Sequence, residues 1–100
     1  MLFRSLAALP GSFTITGGGF ADGGVGLPVV DFERNGVLLG QVRATGLTGG
    51  TTLTVPYPTN QNSLSGALPG LSAGPVRVSM YNQTNVSGFS LVGSISLTVN

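Results

Sequence analysis

The sequence predicts an all-β protein, folded as one two-sheet β-sandwich of about seven short antiparallel strands. Two observations support this fold class. Apolar and polar residues alternate with a period of two in several separate segments, as they do in strands that bury one face. Clusters of Gly, Pro and Asn separate these segments and supply the backbone conformations that turns require.

The first strand is predicted at residues 12–16, where Phe13 and Ile15 share one face and hydroxyl side chains take the other. Glycines at residues 17–19 follow this strand. We expect them to let the chain cross to the second sheet, and we expect Phe20 to close the end of the sandwich.

A β-hairpin is predicted next. Residues 29–34 alternate, Asn35-Gly36 interrupts the pattern, and residues 37–44 resume it. An Asn-Gly pair between two such runs is the strongest short-range hairpin signal that a sequence offers. These two strands are therefore expected to pair antiparallel.

Three more strands are predicted at residues 51–55, 76–80 and 94–99, and Pro56 should end the first of them because proline cannot donate to the ladder. Short strands at regular turn spacing indicate an immunoglobulin-like topology. The chain has no Cys and no Trp, so aliphatic and Phe side chains must form the core. The predicted core comprises Phe13, Ile15, Val30, Phe32, Leu53, Val55, Val76, Val78, Met80 and the closing strand.

Composition excludes several classes of function. The chain has no Cys, His or Lys, so thiol catalysis, His-based triads, soft metal-ligand sets and disulfides are ruled out. We expect no cofactor. A net charge of +1 argues against nucleic acid as a partner. No run reaches the roughly 20 apolar residues of a membrane span, so no membrane insertion is expected.

The carboxylates offer one candidate for chemistry. Asp31 and Glu33 should project from the outer face of one strand, near Arg34 or Arg43, and we interpret them as solvated cross-strand charges. A hydrolase using this pair is a remote alternative that predicts loss of activity in Asp31→Asn. A Ca²⁺ site formed with Asp22 is a second alternative.

Two further motifs are interpreted as structural. The glycine cluster at residues 17–26 lacks the Lys of a phosphate-binding loop and is not followed by a predicted helix. Two glycosylation sequons begin at Asn82 and Asn85. We interpret them as turn residues between the last two strands.

The strand and turn pattern resembles the IPT/TIG family of immunoglobulin-like domains over about residues 10–99. The family pattern includes an opening Pro-Gly, I-x-G-x-x-F, V-x-F, V-P and G-x-x-x-V-x-V-x-N. The matching residues here are Pro10, Gly11, Ile15, Gly17, Phe20, Val30, Phe32, Val55, Pro56, Gly74, Val78, Met80 and Asn82. The resemblance implies an immunoglobulin-like fold for the single domain at residues 1–100. Residues 58–71 are longer than the corresponding loop of the family.

Apolar residues outside the predicted core mark a candidate interface. They occur in residues 1–9, predicted to form a packing arm, in an apolar loop and at two tyrosines. The candidates are Leu2, Phe3, Leu6, Tyr57, Leu64, Leu68, Leu71 and Tyr81. For Tyr57, between two prolines, an aromatic lid on the core and an interface anchor are both open.

These observations predict a non-enzymatic structural or interaction module with a protein partner, as a homo-oligomer or in a larger assembly. The expected setting is an extracellular surface or a virion, such as a phage decoration or tail component or a bacterial surface protein; no leader peptide is visible. The alternative is a carbohydrate-binding module attached to a glycoside hydrolase or adhesin, using Tyr57, Tyr81 and Asn or Gln side chains.

Overall fold

The computed structural model describes residues 12–22, 24–58, 62–64 and 72–99. The predicted arm at residues 1–9 and the Pro10-Gly11 pair lie outside the described residues. So do five of the interface candidates: Leu2, Phe3, Leu6, Leu68 and Leu71.

In the described part of the chain, seven strands form two antiparallel sheets and there is no helix, which confirms the all-β prediction. The strands are β1 Ser12–Thr16, β2 Val29–Arg34, β3 Val37–Arg43, β4 Gly46–Thr48, β5 Thr52–Pro56, β6 Gly74–Gln83 and β7 Phe89–Val99. One sheet has the order β1-β5-β4, and the other has the order β3-β2-β6-β7.

The core lies between the two sheets and contains every residue predicted for it. The closing strand adds Leu97 and Val99. Phe13 on β1 meets Phe32 on β2 edge to face, with ring centroids 6.0 Å apart. Because these strands belong to different sheets, this aromatic pair connects the two layers in a chain that has neither a disulfide nor a core Trp.

The predicted hairpin is confirmed. Asn35 and Gly36 both have positive φ, 52° and 79°, which is the conformation of a type I′ turn. The pairing of β2 with β3 then shifts by one residue between Phe32 and Glu33. This bulge determines which β3 side chains leave the core.

The link between the sheets also follows the prediction. After β1 the chain crosses at residues 17–28, and the Gly17 N–H donates to the Thr51 carbonyl at 2.8 Å. Phe20 is 5% exposed and belongs to the core cluster. Phe20 therefore extends from the crossing segment into the core and closes its end.

Several strand boundaries differ from those predicted. The three-residue strand β4 has no alternation long enough to detect. β6 begins at Gly74-Pro75, two residues before the strand predicted at residues 76–80. Pro75 is tolerated because it pairs only with Thr98 of β7, whereas pairing with β2 starts at Arg77.

The sequons fall in two different places. Asn85 lies in the turn between β6 and β7, as predicted, and its side chain accepts the Ser87 N–H at 3.0 Å. Asn82 lies in β6 rather than in the turn, because the strand continues to Gln83.

Candidate functional site

The face of the four-stranded sheet that turns away from the core carries an open depression of about 420 Å³. Four strands and two connecting segments contribute its walls. It is lined by Val29, Asp31, Gln41, Arg43, Leu64, Tyr81, Gln83, Val86 and Phe89. Its size lies in the range of small-molecule sites. We refer to it as the outer-face depression.

Strand register brings these side chains together. Asp31 lies opposite Gln41 on β3, and Val29 lies opposite both Arg43 on β3 and Tyr81 on β6. Directly opposed residues in a sheet project to the same side, so the five side chains share the outer face.

Asp31 is the central acidic group of the outer-face depression. The Gln41 side-chain amide donates to its Oδ1 atom at 2.6 Å. Burial raises the pKa of Asp31 above its ordinary value, the Gln41 hydrogen bond acts in the opposite direction, and the charge of Glu33 raises it further. The site therefore favours the neutral carboxyl more than water does.

Arg43 brings a positive charge to the same depression. Its Nη1 atom donates to the Leu27 carbonyl at 2.8 Å, which fixes the guanidinium against the segment that leads into β2. The depression thus contains one acidic and one basic side chain.

Gln83 is an unusual element of this wall, since only 7% of the residue is exposed. Its Nε2 atom donates to the Val86 carbonyl at 3.2 Å. Its Oε1 atom is buried and has no hydrogen-bond partner among the described residues. A buried acceptor without a hydrogen-bond donor lowers the stability of the folded protein by about 1–3 kcal/mol. A donor group that reaches this atom would recover that free energy.

An apolar rim borders the polar groups. Val86 is 84% exposed, and Leu64 and Phe89 are about half exposed. The Leu64 N–H donates to the Gln41 carbonyl at 2.8 Å, which holds Leu64 against the edge of β3. Two predicted interface residues, Leu64 and Tyr81, thereby meet in one depression.

Tyr57 lies elsewhere. Its ring packs on Phe13 with centroids 5.3 Å apart, and it is partly buried against the core. Burial raises the pKa of its phenol. These contacts support the aromatic-lid interpretation of its ring, while a role of Tyr57 in an interface stays a prediction.

Glu33 lies opposite Arg77 in the pairing of β2 with β6, so the expected cross-strand pair of opposite charges has Arg77, rather than Arg34 or Arg43, as its basic member. Arg34 donates to the Ser72 side chain, the Ser72 carbonyl and the Pro75 carbonyl, at 2.6 to 2.9 Å. Asp22 lies in the crossing segment, where it accepts the Gly24 N–H at 2.9 Å. Within the described part of the chain, no group of three or more metal-ligating side chains could hold a metal ion.

Sequence reasoning missed most of the depression. It did not single out Gln41, Gln83, Val86 or Phe89 as contributors. The sequence offered two signals. Val86 is an apolar residue next to the Ser of a sequon, and Phe89 begins a segment without charged residues. Alternation at residues 41–44 places Gln41 on the same face as Arg43, but its position opposite Asp31 depends on the bulge in the pairing of β2 with β3, which alternation alone does not reveal.

Comparisons with protein-family models, with curated proteins and with solved structures find no match to this chain. Among the residues that the structure describes, no helix has both the length and the apolar character needed to cross a membrane.

Proposed function

We propose that this protein is a non-enzymatic structural module with an immunoglobulin-like, IPT/TIG-like sandwich, and that it assembles with copies of itself through strand β7. Its proposed setting is an outer surface, either a virion or a bacterial cell. The low-charge, hydroxyl-rich exterior suits close packing in such an assembly because it brings little charge repulsion.

The strand order supports the immunoglobulin-like part of this proposal. In immunoglobulin sandwiches one sheet contains strands B, E and D, and the other contains C, F and G with C′ added beside C. The orders β1-β5-β4 and β3-β2-β6-β7 correspond to B-E-D and C′-C-F-G.

The edge of β7 carries the assembly proposal. This strand is 11 residues long, lies at one end of its sheet, and contains no charged residue and no proline. Among the described residues, no strand pairs with its outer edge. Proteins usually shorten, charge or cover such an edge, because its free N–H and C=O groups pair readily with another chain.

The other edges are protected in those ways. β4 has three residues and β1 has five. β3 contains Arg43, and the Leu64 N–H occupies one of its carbonyls. The contrast makes β7 the edge best suited to strand addition.

A second copy of this chain is the occupant that fits best. Two antiparallel β7 strands related by a two-fold axis would bring no like charges together and would satisfy both edges at once. Phe89 and Leu91 are 50% and 58% exposed on the outer face of this strand. Pairing would extend both sheets into one continuous sheet and reduce the exposure of these side chains.

Light scattering coupled to size-exclusion chromatography over a range of concentrations tests the proposal. The wild type should form a dimer or larger species. Leu91→Lys combined with Thr98→Lys should give monomers, since lysines on an edge strand oppose pairing.

The matched control adds the same charge to the other sheet, with Thr14→Lys and Thr48→Lys at two exposed positions. It should assemble like the wild type. A wild type that stays monomeric at every concentration, or a control that dissociates as fully as the β7 variant, would refute assembly through this strand.

A further inference from the structure

Beyond assembly, we infer that the outer-face depression binds a neutral saccharide unit, with Asp31 and Gln83 accepting hydrogen bonds from its hydroxyls and Tyr81 lying against the sugar ring. The inference rests on the side chains of the depression, one of which, Phe89, also lies on the strand β7 that we propose to pair.

The charges of the depression favour a ligand without net charge. Asp31 and Arg43 both line the outer-face depression, and their opposite charges leave it with little net charge. Asp31 presents a carboxylate acceptor whose Oδ1 already accepts from Gln41, and Arg43 presents a donor group anchored on Leu27. A hydroxyl group both donates and accepts, so a polyhydroxylated ring can satisfy both types of side chain.

Gln83 supplies a second, independent indication of a ligand. The residue is more than nine-tenths buried, lines the depression, and keeps an unpartnered Oε1 atom among the described residues. Its amide cannot simply rotate, because Nε2 already donates to the Val86 carbonyl. Because Oε1 is buried, a small shift of the wall must accompany binding, and a ligand hydroxyl that then reaches this atom gives it a donor.

The aromatic groups match the apolar face of a pyranose. Gln83 pairs with Phe89 across β6 and β7, while Tyr81 pairs with Leu91 two residues along. Tyr81 and Phe89 are therefore diagonal neighbours on the outer face, and both line the depression. Together the two rings form an apolar surface, beside the polar side chains, on which the C–H groups of a sugar can pack.

A peptide fits this location less well. Extended peptides bind by adding a strand to a sheet edge, where backbone groups are free. The outer-face depression lies over β2 and β6, each of which is paired on both sides. Recognition here must use side chains, which suits a compact ring more than a peptide backbone.

Nuclear magnetic resonance titration of the ¹⁵N-labelled full chain tests the inference. The probes are methyl glycosides of glucose, galactose, mannose and N-acetylglucosamine, with N-acetylalanine methylamide as the peptide-like comparison. At least one glycoside should give saturable shifts that centre on Asp31, Tyr81 and the Gln83 side-chain amide.

Asp31→Asn should weaken binding of that glycoside about tenfold or more, because a hydrogen bond to a charged acceptor is replaced by a weaker one. Tyr81→Phe keeps the ring and should bind more tightly than Tyr81→Ala. Thr14→Lys with Thr48→Lys, on the other sheet, should bind like the wild type. The spectrum of each variant reports directly whether it is folded.

Three results would overturn the inference. They are the absence of saturable shifts with every glycoside, equal affinity of Asp31→Asn and the wild type, and saturable shifts with the peptide-like probe alone. None of them bears on whether β7 strands pair, since that outcome is measured by oligomeric state.

Discussion

The side-chain amide of Asn82, near the end of β6, donates to the backbone carbonyl of Gly19, in the segment that crosses between the sheets, at 2.8 Å. The same amide accepts the Ala21 N–H through Oδ1 at 3.0 Å. One side chain thus replaces the pair of hydrogen bonds that a neighbouring strand would provide. Since Phe20 lies between the two bonded residues and enters the core, Asn82 holds its backbone in place.

We predict that Asn82→Ala lowers the free energy of unfolding by about 1–3 kcal/mol, because two backbone groups lose their partner. Asn82→Asp should also destabilise, since a carboxylate accepts the Ala21 N–H but cannot donate to the Gly19 carbonyl. Denaturant unfolding measures both. Ser90→Ala, an exposed change on β7, is the control; equal stability of Asn82→Ala and this control would contradict the role of Asn82.

Asp31→Asn should make the protein more stable at neutral pH. Burial raises the pKa of Asp31 in the folded state, so the neutral form is favoured by folding. Its favourable contribution is complete below the ordinary carboxylate pKa and is lost as pH rises through the folded-state value. Asn stays neutral, so the variant should be slightly more stable than the wild type at pH 7; the gain should be small because the group is still partly solvated.

Thermal unfolding at several pH values measures this difference, which should shrink as the solution becomes acidic. Asp22→Asn changes the net charge equally, at an exposed position that keeps an acceptor for the Gly24 N–H. The same pH-dependent gain in Asp22→Asn would assign the effect to net charge rather than to the burial of Asp31.

Gly40→Ala should destabilise the protein by about 1–3 kcal/mol, the range for overpacking. A Cβ atom at Gly40 would lie 2.5 Å from the Cβ atom of Pro58, two residues after the end of β5. Gly93→Ala is the matched control, because a Cβ there meets nothing within 4 Å. Chemical denaturation compares them, and similar midpoints for the two variants would show that Pro58 does not press on β3.

Tyr57→Ala should lower stability by about 2 kcal/mol through loss of the contact with Phe13 and of partial burial. Tyr57→Phe keeps the packed ring and should be close to neutral. If Tyr57 acts only as an interface anchor, Tyr57→Ala will leave the stability of the monomeric β7 variant unchanged. Introduced into the wild type, it will instead reduce the size of the assembly. Unfolding of each change in the monomeric background distinguishes the two roles.

The alternation of apolar and polar residues predicted most strands and core residues of this protein, because burial of one face constrains the residues of a strand locally. Phe13, Phe32 and Val78 could be assigned to the core from their neighbours alone, and Asn35-Gly36 specified its hairpin through the positive φ of both residues. The three-residue strand β4 could not be found in this way. It exists because it pairs with β5, which is a relation between distant residues.

The sequence by itself therefore determined the all-β class, the hairpin and most of the core. The pairing of distant strands decided which side chains line the outer-face depression. An unbroken hairpin register from Arg34 and Val37 would place Asp31 opposite Gly40 and turn Gln41 inward; the bulge instead sets Asp31 opposite Gln41. A one-residue shift exchanges the two faces of a strand, so the side chains that meet on the outer face depend on pairing geometry that local alternation does not encode.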